Sequence, residues 1–84
     1  MPRVYLKNLA DAVTRDDLEA HFSRAGQVRG VLVITDKSSG KSRGFGFVDM
    51  ANFDDAVSAI RLLNDTELKG KRIWIDPVPP RESD

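Results

Sequence analysis

Arg43-Gly44-Phe45-Gly46-Phe47-Val48-Asp49-Met50 is the stretch whose reading decides the fold. It reads as a strand with an unusual face. Side chains alternate across a strand, so Phe45, Phe47 and Asp49 point one way while Gly46, Val48 and Met50 point the other. Both faces therefore carry apolar residues. One of them can be core, but two phenylalanines on the other must be covered by something or offered to a ligand.

The chain around this strand has 84 residues, which is one domain, because a second core could not be closed with what remains. A domain of this size removes only roughly 60% of its unfolded surface from water, so nearly every large aliphatic is needed in one core. Cysteine is absent, which excludes disulfides and a thiolate zinc site and suits a reducing compartment. No apolar run approaches the roughly 18 residues of a membrane span, and the start, Met-Pro-Arg-Val-Tyr-Leu, lacks a secretory pattern. The expectation is a soluble, cytoplasmic protein. Net charge is zero, from 13 basic and 13 acidic residues, which argues against a general polyanion binder. The bases are nevertheless clustered, with Lys37, Lys41 and Arg43 in one group and Lys69, Lys71 and Arg72 in another, so a neutral chain can still have one basic side.

Upstream of the central strand, Arg3 to Leu9 reads as a first strand in which Val4 and Leu6 alternate with Tyr5 and Lys7. Thr14 followed by Asp17 resembles a capping box, placing a helix start there. Leu18, Phe22 and Ala25 form one apolar stripe, and Gly26 is placed to end that helix as a left-handed residue. Val28 to Asp36 is short and rich in branched residues, hence a second strand with Val31 and Val33 inward and Leu32 and Ile34 outward. Lys37 to Ser42 is a polar hairpin connection into the central strand. Downstream, Asn52 can cap a helix from about Phe53 to Leu63 whose Ala56, Ala59, Ile60 and Leu63 share a face. Asn64 to Lys71 is polar, with Gly70 as turn residue and Leu68 as anchor. Arg72 to Asp76 then reads as a last strand with Ile73 and Ile75 inward and Trp74 outward. The order strand, helix, strand, strand, helix, strand fits a four-stranded antiparallel sheet with both helices on the same side. Its other face stays open.

Collected strand by strand, the open face carries Arg3, Tyr5 and Lys7, then Leu32 and Ile34, then Arg43, Phe45, Phe47 and Asp49, then Trp74 and Asp76. Aromatics and cations interleave there, and flat rings stack on nucleobases while cations at the rim meet phosphate. At these residues the chain resembles the RNA recognition motif family. Arg43 to Met50 is similar to the longer RNP signature of that family at every position but the last, and Val4-Tyr5-Leu6-Lys7-Asn8-Leu9 resembles the shorter one throughout. The resemblance covers about Arg3 to Pro77. It implies an α+β, βαββαβ ferredoxin-like sandwich as one domain over residues 1–77; Pro77, Pro79 and Pro80 stop regular pairing, so the short proline-containing tail, residues 78–84, is expected to be disordered. It also implies roles: Tyr5 and Phe47 each stack one base, Phe45 presses against the sugars between them, and Arg43 pairs with backbone phosphate. Lys7, Trp74, Lys37 and Lys41 are helpers outside those roles. The small chain is similar to bacterial stand-alone members of the family, which favours the cytoplasm over a nucleus.

Three positions depart from the family pattern. Met50 replaces an aromatic but faces inward, so the change touches packing; Ala25 stands where an aromatic is usual and His21 where a leucine is usual. Without the two signatures, Phe45 and Phe47 would be read as a second buried face, and Trp74 is as well explained by cover from the proline-rich tail. Leu32 and Ile34 suit packing or a partner contact better than base reading. Gly40-Lys41-Ser42 is not a phosphate-binding P-loop, since the required first glycine falls on Thr35, and Gly44-Phe45-Gly46 lacks the third glycine of a dinucleotide fingerprint. Neither a nucleophile with an adjacent base nor a metal set can be assembled, so no enzyme activity, cofactor or metal is expected. The expected partner is single-stranded RNA. An alternative from another class is a protein-interaction or homodimerising module that covers the same face, favoured by zero net charge and by Leu32, Ile34 and Trp74. An acylphosphatase-like or metal-chaperone relative of the same plan is weaker, because such chaperones need a cysteine pair.

Overall fold

The computed structural model describes residues 2–76. Along the chain run β1 (Arg3–Lys7), α1 (Arg15–Phe22), β2 (Val28–Thr35), β3 (Ser42–Met50), α2 (Phe53–Leu63), β4 (Glu67–Leu68), β5 (Lys71–Arg72) and β6 (Trp74–Ile75). Four of these strands form an antiparallel sheet in the order β2-β3-β1-β6, which places the two signature strands at its centre. Both helices lie against one face. The anticipated α+β architecture is therefore present, while the tail expected after residue 77 lies outside the described residues.

The core is what the alternation requires. Val4 and Leu6 of β1, Val48 and Met50 of β3, and Ile75 of β6 meet Leu18 and Phe22 of α1 and Ala56, Ala59 and Leu63 of α2, all buried. Each large side chain among them contributes about 1.5–3 kcal/mol relative to exposure. Val31 and Val33 pack against this cluster from β2, and Leu32 projects to the opposite face, 44% exposed. Met50 is fully buried, so its departure from an aromatic is a matter of packing.

Local chemistry sets the element ends. Thr14 accepts from the Asp17 amide at 3.2 Å while the Asp17 carboxylate accepts from the Thr14 amide at 2.9 Å, a complete capping box. That bond from Thr14 holds the Asp17 carboxyl below the usual carboxylate range. Asn52 caps α2 by accepting from the Asp55 amide at 2.8 Å.

Three boundaries differ from the sequence expectation. The first helix stops at Phe22 rather than at Gly26: the Ser23 amide makes the last i→i−4 bond, to the Glu19 carbonyl at 2.9 Å, and the Ala25 amide then donates to the Phe22 carbonyl at 3.0 Å, an i→i−3 bond that tightens the chain out of the helix. Gly26 is not a left-handed cap. It is small because a Cβ there would lie 2.6 Å from Asp55 Cγ, where the α2 N-terminus presses on the loop after α1. The first strand ends at Lys7 instead of Leu9, since Asn8 turns to φ 61° and its side-chain amide donates to the Arg72 carbonyl at 2.7 Å. The last strand is interrupted. Arg72 belongs to a β4–β5 hairpin whose turn residues Lys69 and Gly70 both have positive φ, as a type I′ turn demands, and only Trp74 and Ile75 join the main sheet. Between them Ile73 is buried, with its amide donating to the Thr66 carbonyl at 2.9 Å.

His21 is buried beneath that segment. Thr66 Oγ1 donates to the Leu63 carbonyl at 2.6 Å, so its oxygen is free to accept from His21 Nε2 at 2.9 Å. Burial pushes the imidazole pKa down, and the nearby Arg24 adds to the effect. The neutral ring protonated at Nε2 satisfies both constraints.

Candidate nucleic-acid interface

Strand register arranges the outward side chains in rows across the sheet. Phe45 of β3 faces Lys7 of β1, which faces Trp74 of β6. In the next row Leu32 of β2 faces Phe47, which faces Tyr5. A third row sets Gly30 against Asp49 and Asp49 against Arg3. Directly opposite residues on one face stand about 4.5–5.5 Å apart between Cβ atoms, close enough for neighbouring rings and cations to act together.

Tyr5, Phe45 and Trp74 are large and uncovered, at 52%, 45% and 56% exposure. An open hollow of about 450 Å³ adjoins two of them, lined by Tyr5, Leu6, Lys7, Asn8, Gly44, Phe45 and Gly46. Two glycines make this floor possible. Gly44 adopts φ +95°, lets its carbonyl accept from the Leu9 amide at 2.9 Å, and bends β3 where β2 slips register. Gly46 lies against the β2 backbone, where a Cβ would come within 3.2 Å of the Val33 Cα and closer still to the Leu32 carbonyl.

Phe47 is in a different situation. Its ring is half-buried, meets Tyr5 edge-on at 6.4 Å between centroids, and has the Arg3 guanidinium 3.8 Å from its centroid. Arg3 is fixed there by Asp49, through Nε to Oδ1 at 2.8 Å and Nη2 to Oδ2 at 3.3 Å. That bond raises the guanidinium pKa above its already high value, so the cation persists at every accessible pH. Sequence reasoning placed Arg3 and Asp49 on this face but gave neither a role; only the pairing register reveals that they meet.

The remaining cations lie along one end of the sheet. Arg43 is exposed at the start of β3, and Lys37 and Lys41 are exposed on the β2–β3 connection. Asp36 shapes that connection by accepting from the Ser38 and Ser39 amides at 2.8 and 3.1 Å, while Gly40 takes φ +74°. Those amide bonds, and then the charge of Arg43, lower the Asp36 carboxyl pKa. The second basic cluster does not extend the same surface as a free positive patch. Lys69 approaches Asp17 of α1 at 3.8 Å, and Arg72 approaches Asp65 at 3.8 Å and donates to its carbonyl at 2.7 Å.

Of the residues singled out from sequence, Tyr5, Lys7, Phe45, Phe47 and Trp74 thus come together on one face, Arg43 stands at its rim, and Lys37 and Lys41 flank it. Flat rings, cations at the rim and a shallow floor can hold stacked planar groups carrying negative charge.

Comparison with known proteins points the same way. The chain is 43% identical over 82 residues to the 29 kDa ribonucleoprotein A, chloroplastic, of Nicotiana sylvestris, covering 94% of this chain and 30% of that protein. It is 38% identical over 79 residues to RbpA of Nostoc sp. strain PCC 7120, covering 94% of this chain and 78% of that one. Among solved structures, RNA Binding Protein PG1 superposes with a TM-score of 0.83 at 37% identity, covering 96% of this chain and 98% of the other. The chain spans less than half the length of several curated relatives that it matches. The family model described as RNA recognition motif matches residues 4–74, which takes in both central strands and both helices, and the chain belongs to that family.

Proposed function

We propose that this domain is a non-catalytic, single-stranded RNA-binding module that lays roughly two to four nucleotides across its open sheet face. The observation that carries the reading is the grouping of Tyr5, Phe45 and Trp74, half exposed, around Lys7 on a face that neither α1 nor α2 covers. Tyr5 and Phe47 each provide one stacking position, Phe45 contacts the intervening sugars, and Arg43 binds backbone phosphate. Lys7, Trp74, Lys37 and Lys41 assist. Family membership and the names of the relatives support RNA as the ligand, and chloroplast and cyanobacterial relatives favour a site of action outside the nucleus.

Stacking contributes ~1–3 kcal/mol per base, so two or three bases supply roughly 2–9 kcal/mol. Micromolar binding corresponds to about 8 kcal/mol. The module alone therefore binds weakly, with loose sequence preference and a salt dependence set by Arg43 and its neighbours. Titrating short random-sequence RNA with the wild type and a Tyr5→Ala, Phe47→Ala double variant tests this. Equal affinities would remove the stacking mechanism.

Leu32 and Trp74, apolar and exposed on the same face, favour a second reading in which another copy of the chain covers the sheet. Sedimentation at several concentrations separates the two, because a homodimer closing this face forms without RNA and competes with it.

A further inference from the structure

The stacking scheme leaves Arg3 unused, although it lies over one of the rings on which the scheme depends. Its guanidinium lies over Phe47, 3.8 Å from the ring centroid, and the two hydrogen bonds that it donates to Asp49 hold it there. A base and the guanidinium cannot occupy the same side of the ring. An incoming base must displace Arg3 or stack on top of it.

Displacement is the costlier route. The Asp49 side chain is only 15% exposed, so removing its cation strands a shielded carboxylate and also forfeits the cation–π contact. The Arg3 side chain is 42% exposed and accessible from outside. A guanidinium is planar and delocalised, and nucleobases stack on such planes as they do on aromatic rings. Stacking on its outer surface leaves both bonds to Asp49 intact.

We infer that Arg3 is the base platform at this position: the nucleobase rests on a guanidinium that Asp49 holds over Phe47, making a pile of base, Arg3 and Phe47. Asp49 is a positioning residue in this arrangement. The inference rests on the RNA-binding reading above and deepens it, replacing direct stacking on Phe47 by stacking through Arg3.

Fluorescence anisotropy of a short, labelled random-sequence RNA tests it at two salt concentrations, with the wild type, Arg3→Ala, Arg3→Lys, Asp49→Asn, Phe47→Ala and the Arg3→Ala, Phe47→Ala double variant. Arg3→Ala is expected to lose roughly 5- to 100-fold in affinity, the equivalent of one stacked base. Arg3→Lys should lose nearly as much while keeping the salt slope, because it retains the charge and lacks the plane. Asp49→Asn should lose less, and the double variant should be no worse than the worse single one, since the two residues serve one stack. Unchanged or tighter binding by Arg3→Ala would make Arg3 a lid and overturn the inference. Wild-type affinity in Arg3→Lys would reduce the residue to a charge and overturn it as well. If Tyr5→Ala weakens binding while Arg3→Ala does not, this inference alone falls; if the wild type binds no RNA, the functional reading falls and carries this one with it.

Discussion

Phe45 and Phe47 stand two residues apart on one strand and point to the same side, yet the molecule treats them differently. Phe45 faces Lys7 across the sheet, with Trp74 beyond, and remains 45% exposed. Phe47 lies diagonal to Arg3, whose pairing with Asp49 draws a guanidinium over its ring. Alternation along a strand decides which way a ring points, and the residues on the neighbouring strand decide whether its face is free. One end of the sheet face therefore offers bare aromatics around an exposed lysine, and the other offers a ring already covered by a paired cation.

The sharpest way to break this contrast is at the bare end. Tyr5→Ala should lower RNA affinity by roughly 5- to 100-fold, the loss of about one stacked base, and Phe45→Ala, which removes the contact to the sugars, should lower it less, with the thermal midpoint little changed because both rings are exposed. If RNA titrations instead show a loss confined to Phe47→Ala, the bare end is not the binding end. Next in size is Gly46→Ala beneath the two rings. The added methyl meets the β2 backbone and should destabilise the fold by about 1–3 kcal/mol, seen in urea unfolding. Arg43→Gln at the rim should weaken binding evenly across RNA sequences and reduce the slope of log affinity against log salt by about 1, which binding isotherms at graded salt would show.

Two pH effects are smaller, and both lie away from the rings. Asp36 has a lowered folded-state pKa, so its stabilisation of the β2–β3 connection is complete above the ordinary carboxylate value of about 3.9 and is lost as pH falls through the folded value. Amide signals of Ser38 and Ser39 should titrate over that window. His21 is also depressed. Its contribution is complete above an unfolded-state value of about 6.5 and declines as pH falls toward the folded value, because the unfolded chain binds the proton first. Unfolding midpoints in denaturant between pH ~7 and ~5 should drop for the wild type and stay flat for His21→Leu.

Much of the fold was legible because its signals are local. The Thr14 and Asn52 caps, the stripe of Ala56, Ala59 and Leu63, and the alternation of β1 and β3 each depend on neighbours within a turn or a strand. Where expectation failed, the deciding contact came from a tight local turn or from a distant segment. The bond from the Ala25 amide to the Phe22 carbonyl took the chain out of α1 early. Asn8 ended β1 by reaching Arg72, and Ile73 interrupted the last strand by bonding to Thr66. The Lys69-Gly70 turn carries a positive-φ requirement that Gly70 hinted at but Lys69 did not.

The candidate site divides along the same line. Residue type and spacing alone determined that Tyr5, Lys7, Phe45, Phe47 and Trp74 share an open face, since the period of a strand is a property of the backbone. Tertiary structure decided that Arg3 meets Asp49 over Phe47, that Lys69 and Arg72 approach acids of their own, and that His21 is buried against Thr66. Those outcomes depend on register and on how elements far apart in the chain come to rest, and a short polar side chain carries no mark of the partner that folding will bring to it.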